Sequence, residues 1–147
     1  MYHSAGKNAL IAIFTPVPVS LMDRYVRAVE RHFGDNFRGS ESFDIDTVYF
    51  GGGTPSLLGS KRLRQLLTAL EKTGGIAKGA EVTVECNPES TDQAVLEAMH
   101  EHSVNRLSFG VQAAHDTELK RIGRIHDFAQ AQVAVELARQ CGFSNIS

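Results

Sequence analysis

Apolar and polar positions along this chain follow two alternating periods. Short runs rich in β-branched and aromatic residues read as strands. They fall at Asn8 to Phe14, Thr47 to Phe50, Glu81 to Glu85, Asn105 to Phe109 and Phe143 to Ser147. Between them apolar residues return every third or fourth position, the period of a helix with one buried face. Leu21, Met22, Tyr25, Val26, Val29 and Phe33 form one such stripe, with Ser20 expected as its N-cap and Gly34 as its stop. Leu63, Leu66, Leu67 and Leu70 form the next, ended by Gly74-Gly75. Ser90 and Gln93 have capping-box spacing ahead of Val95, Leu96 and Met99. A short helix is expected around Thr117 to Ile122. Asp127 should cap a longer one carrying Phe128, Ala131, Val135 and Ala138, closed by Gly142. Residues 34–44 read as a loop.

The resulting order, β-α-β-α-β-α-β-α-β, predicts an α/β fold with a parallel sheet of alternating β-α units, because parallel neighbours need a crossover and a helix supplies it. No linker, repeat or low-complexity stretch divides the chain, and 147 residues suit one modest domain.

Composition narrows the function. With 42% hydrophobic residues, 22% charged residues and a net charge of −2, the chain has no basic excess of the kind that binds nucleic acid. Lys61, Arg62 and Arg64 interleave with apolar helix positions and read as a solvated face. The longest apolar run near the start, Ala9 to Phe14, is too short to span a bilayer and lacks the flanks of a secretory signal. Cytoplasm is the expected compartment. The two cysteines, Cys86 and Cys141, lie in no CxxC or CxxxC pattern and read as small core residues.

In parallel α/β folds ligands bind where βα loops leave the carboxyl ends of strands. Polar clusters follow the strands here: Gly51-Gly52-Gly53-Thr54-Pro55, then Glu85-Cys86-Asn87-Pro88, then Gly110-Val111-Gln112 with Arg124 beyond. The glycines permit positive φ and close backbone approach to a ligand. Alone, they equally describe a tight turn, since neither GxGxxG nor a P-loop ending is present. Glu85 can accept from an ammonium or hydroxyl group, Gln112 can donate and accept, and Arg124 can clamp a carboxylate. Equally, Glu85 and Arg124 can simply pair with each other or with solvent. His115 and His126 read as surface loop histidines, and His100 and His102 as residues at a helix end.

Together these strings are more specific than any one of them. Val48 to Leu58, Glu85 to Pro88, Val104 to Gln112 and Ile122-Gly123-Arg124-Ile125-His126 resemble the oxygen-independent coproporphyrinogen III oxidase family of radical S-adenosylmethionine (radical SAM) proteins. The Gly-Arg-Ile-His version looks more like the haem-chaperone branch. The resemblance implies part of a (β/α) partial TIM-type barrel over 20–147, preceded by an atypical 1–19 segment holding a candidate first strand. It implies S-adenosyl-L-methionine as cofactor, with Gly51, Gly52, Gly53 and Thr54 at its methionine end and Glu85, Gln112 and Arg124 as further contacts. It implies porphyrinogen or haem as the partner of the full-length protein.

The sequence departs from the family in one respect. Where the family carries CxxxCxxC, this chain has Thr15-Pro16-Val17-Pro18-Val19, so the ligands of the family's [4Fe–4S] cluster are absent. The family also carries an aspartate just past the position of Ser147. The expectation is a fragment of such a protein, inactive as it stands, with no catalytic or metal-ligating residue assigned. The alternative is a small α/β module for a nucleotide-like ligand, without redox chemistry.

Overall fold

Strand β2 (Ile45–Gly52) buries Val48 and Phe50 completely, while Tyr49 between them is only half-buried. That alternation gives the sheet one apolar face and one polar face. The structure is a computed structural model that describes residues 7–13, 18–37, 45–73 and 75–147. Strand β1 (Lys7–Ile13) runs parallel to β2 with Leu10 opposite Tyr49. β3 (Ile76–Cys86) pairs with β2 through Val48–Val82 and Phe50–Val84, and β4 (Arg106–Phe109) joins β3 through Val84–Leu107 and Glu85–Ser108. The strands lie side by side in chain order, β1-β2-β3-β4. Neighbouring strands in sequential order, joined by helical crossovers, are the arrangement of barrel staves rather than of a doubly wound sheet.

The crossovers are α1 (Val19–Phe37), α2 (Gly59–Glu71) and α3 (Gln93–His100), and after β4 come α4 (Asp116–Arg121) and α5 (Phe128–Gln140). Their apolar stripes close on the Val48, Phe50, Val82, Val84 and Leu107 face, with Val26, Phe33, Leu63, Leu66, Leu67, Leu96, Met99 and Ala138 in the same cluster. Burying a Leu or Phe side chain contributes roughly 1.5–3 kcal/mol, so this layer dominates the cohesion of the fold. The opposite face carries Tyr49, Thr83 and Arg106 in one row and Glu85 and Ser108 in the next. There Arg106 donates to Glu81 at 3.1 Å, as does the Thr83 hydroxyl.

Some boundaries differ from those the sequence predicts. α1 begins at Val19 and runs through Gly34 to Phe37, so Ser20 lies inside the helix and Gly34 does not stop it. The N-cap of α3 is Asp92, whose side chain accepts from Val95 N at 2.8 Å. Ser90 instead bonds the Ser56 hydroxyl and the Asn87 carbonyl. β3 begins five residues before the expected Glu81, at Ile76. The expected last strand is reduced to a Leu107–Ile146 bridge, supported by Leu107 N to Asn145 O and Ser147 N to Leu107 O, both at 3.0 Å. The Asp127 cap holds, as a full capping box with Gln130. Phe14, the Thr15-Pro16-Val17 stretch, Gly74 and most of the predicted 34–44 loop lie outside the described residues.

Candidate ligand cleft

The loop after β2 is built by two different demands on glycine. Gly52 has φ 109°, a region that side-chain-bearing residues rarely adopt. Gly51 needs no unusual φ; a Cβ there would collide with the Tyr49 ring and lie 3.1 Å from Glu85 Cδ. Thr54 is extended, and Pro55 opens a 3₁₀ turn, Pro55–Leu58, in which Leu57 N donates to Thr54 O at 3.0 Å. This turn delivers the buried Ser56 hydroxyl to the next loop, where Asn87 N donates to it at 3.2 Å.

The loop after β3 brings Glu85 against the glycine turn. Tyr49 donates to Glu85 Oε1 at 2.6 Å, and Gly52 N donates to Oε2 at 3.0 Å. The bond to Glu85, with some burial, holds the Tyr49 phenol above its ordinary pKa, because losing its proton would set two anions face to face. Beyond it, Asn87 Nδ2 donates to Thr54 Oγ1 at 3.0 Å, and Arg124 donates to Asn87 Oδ1 at 3.4 Å. The loop after β4 is tied in by Gly110 N to Cys86 O at 2.8 Å and carries Gln112 at φ 72°.

These loops enclose a polar cleft of about 330 Å³ at the carboxyl ends of the strands. Gly52, Gly53, Thr54, Glu85, Gln112 and Arg124 all line it. Gly51 does not; it lies beneath, against Tyr49 and Glu85. Glu85 and Arg124 do not pair with each other, and among the described residues the guanidinium has one neutral partner. The cleft also has Asn87, Ser108 and Gly110 in its wall. Sequence reasoning placed Asn87 and Gly110 in the polar clusters after the strands without giving either a role, and did not single out Ser108, whose place in β4 was a usable signal. A larger hollow of about 580 Å³ lies between the charged outer faces of α1 and α2, beside Glu30, Lys61, Arg64 and Gln65, and no strand end lines it.

His126 departs from its reading as a surface residue. It is buried, with Nδ1 2.8 Å from Glu89 Oε2 and Nε2 3.3 Å from Val111 O. It thereby ties the turn after β3 to the loop carrying Gln112. His115 is exposed, as expected.

Cluster chemistry does not fit this donor set. A [4Fe–4S] centre needs more thiolates than the chain's two cysteines supply. Cys86 faces the apolar core, and burial pushes its thiol up to about 12. The lining suits S-adenosylmethionine in kind: Arg124 and Thr54 would donate to its carboxylate, and Glu85 and Gln112 would accept from its ammonium or hydroxyl groups.

The sheet order and the polar cleft at its carboxyl edge define a segment of an α/β barrel whose βα loops form the candidate site. The family model described as Radical SAM superfamily matches residues 25–147, and the chain belongs to that superfamily. It is similar to the haem chaperone HemW of Lactococcus lactis, at 36% identity over 129 residues, which is 86% of this chain and 32% of that protein. HemW of Bacillus subtilis is 35% identical over 127 residues, 86% of this chain and 34% of that protein. The oxygen-independent coproporphyrinogen III oxidase of Bradyrhizobium diazoefficiens is 31% identical over 103 residues, 70% of this chain and 23% of that protein. The chain thus spans about a third of the length of the HemW relatives it matches. Among solved structures, coproporphyrinogen III oxidase HemN of Escherichia coli superposes with a TM-score of 0.84 at 22% identity, over 99% of this chain and 37% of that one. This likeness establishes the partial-barrel fold. Among the described residues no helix is long and apolar enough to cross a membrane.

Proposed function

We propose that this chain is the S-adenosylmethionine-binding part of a protein of the haem-chaperone and coproporphyrinogen-oxidase type, and that by itself it binds the cofactor weakly and without redox chemistry. The supporting observation is the convergence of Gly52, Glu85, Gln112 and Arg124 on one polar cleft. In this reading Arg124 and Thr54 take the carboxylate end of the methionine moiety. The Gly52–Gly53 backbone lies along it, and Gln112 contacts the nucleoside. Radical chemistry by the superfamily draws on a reduced iron–sulfur cluster, and this chain has no cysteine set to hold one. Handling of haem or a porphyrinogen belongs to the proposal for the longer protein, by analogy with relatives bearing those names.

Calorimetric titration of the folded chain with S-adenosylmethionine tests this. Wild type should bind, Gly52→Val should not, and Arg124→Ala should lose about 1.5–3 kcal/mol if its contact is desolvated. Binding left unchanged by both substitutions would put the ligand elsewhere. Anaerobic reconstitution should leave the chain without a cluster; stoichiometric iron and sulfide would overturn that part.

A further inference from the structure

Asn87 is bonded at every polar atom. Its backbone N donates to Ser56, and its carbonyl accepts from Ser90 N at 3.1 Å and from the Thr91 hydroxyl at 2.8 Å. The side chain is therefore presented to the cleft from a fixed backbone. Its amide reaches Thr54 with one end and Arg124 with the other. Arginine can only donate, so the atom facing it must be Oδ1, and Nδ2 must face Thr54. That assignment fixes the polarity of the cleft. The Thr54 oxygen, already an acceptor, has its own proton left to give away from Asn87. Among the described residues Asn87 is the one hydrogen-bond partner of the Arg124 guanidinium, and at 3.4 Å with a neutral acceptor it leaves most of the guanidinium donors uncommitted. The site even makes room for this amide: a Cβ on Gly110 would lie 2.8 Å from Asn87 Oδ1 and 3.0 Å from Gln112 Nε2.

We propose that Asn87 is a positioning residue that turns the Thr54 hydroxyl and the Arg124 guanidinium outward as donors, so that this end of the cleft selects the carboxylate of its ligand. An aspartate of the same shape would reverse the arrangement. It has no proton to give Thr54, whose hydroxyl would then donate to it, and it would hold Arg124 in an ion pair.

The inference rests on the reading that the cleft takes S-adenosylmethionine, and its test separates the two. The 147-residue chain and its Asn87→Asp variant, matched for thermal unfolding, are titrated with S-adenosylmethionine and with its decarboxylated analogue. Independently, phenylglyoxal labelling of Arg124 is followed by mass spectrometry, with the exposed Arg121 and Arg139 as internal references. Wild type should prefer the carboxylate-bearing ligand by about tenfold, the scale of a hydrogen bond to a charged group. Asn87→Asp should reduce that preference to about twofold or less, and ion pairing should slow Arg124 labelling about fivefold while the references stay unchanged. A variant that keeps the wild-type preference overturns the role of Asn87. If wild type binds neither ligand, the cofactor reading fails and labelling decides: slowed Arg124 modification still supports the polarity argument, and an unchanged rate overturns it.

Discussion

The Tyr49 hydroxyl donates to Glu85 Oε1 at 2.6 Å, so the strand that ends in the glycine turn also holds the carboxylate of its neighbouring strand. Because Gly51 lies under the Tyr49 ring, the absence of a side chain at one residue is what lets another reach its partner.

Tyr49→Phe should lower stability by about 1 kcal/mol, the ordinary net worth of a hydrogen bond, since Glu85 is only partly buried. It should also change the alkaline limb. The folded pKa of Tyr49 lies above its ordinary value of 10.0. Its contribution is therefore full below about pH 10 and is lost as pH rises through the folded pKa, because the unfolded chain gives up the proton first. Urea midpoints measured across alkaline pH should fall less steeply in the variant than in wild type.

Gly51→Ala should cost about 1–3 kcal/mol by overpacking against the Tyr49 ring. The cost should shrink in a Tyr49→Ser background, because the obstacle is then gone. A double-mutant cycle by chemical denaturation reads this coupling, and additivity would show that the ring is not what Gly51 accommodates.

Gln112→Gly should stabilise the chain by about 0.5–1 kcal/mol. A left-handed backbone costs a side-chain-bearing residue roughly 1–2 kcal/mol, and added freedom in the unfolded chain offsets part of the gain. The same variant should bind S-adenosylmethionine more weakly than wild type. Thermal melts and titrations should therefore move in opposite directions, as when a strained residue is kept for its side chain.

Cys86, with its thiol at about 12 and 1% exposure, should be silent to a thiol-exchange reagent at pH 8 in the folded chain. Cys141, less buried, should react first. Counting modified thiols before and after adding denaturant checks this. Equally fast reaction of both would mean that the sheet opens readily at β3.

His126→Leu should cost about 2 kcal/mol, because the ring contacts that join the Glu89 carboxylate to the Val111 carbonyl are lost while the apolar replacement fills the space. The loss should appear in urea midpoints and in faster amide exchange across 110–113.

The fold was readable because its two periods are pure: Val48, Phe50, Val82 and Val84 alternate, and Leu63, Leu66, Leu67 and Leu70 recur at helical spacing. Caps were less legible. Ser90 has the spacing of an N-cap, but its hydroxyl is committed to Ser56, on a loop 34 residues earlier, and Asp92 takes the role. Gly34 failed as a stop because the roughly 1 kcal/mol helix penalty of one glycine is small beside the burial of Phe33 in the same helix. His126 looked solitary because its carboxylate partner, Glu89, comes from another loop 37 residues away. Asn87 was seen as part of a turn after a strand, since its importance depends on where Thr54 and Arg124 arrive, and no local spacing encodes that.

The strand order has a consequence for biosynthesis. Each of the strands from β2 to β4 finds its partner in the strand made just before it, and none must wait for one made later. The sheet can therefore grow at one edge as the polypeptide leaves the ribosome, each crossover helix covering the newest seam. The cleft matures on the same schedule. The glycine turn and Glu85 meet once β3 is laid down, and Arg124 arrives only after another 39 residues have been translated. A nascent chain stalled between those points should hold the carboxylate side of the cleft without its guanidinium, so the two sides of the cleft are made in turn.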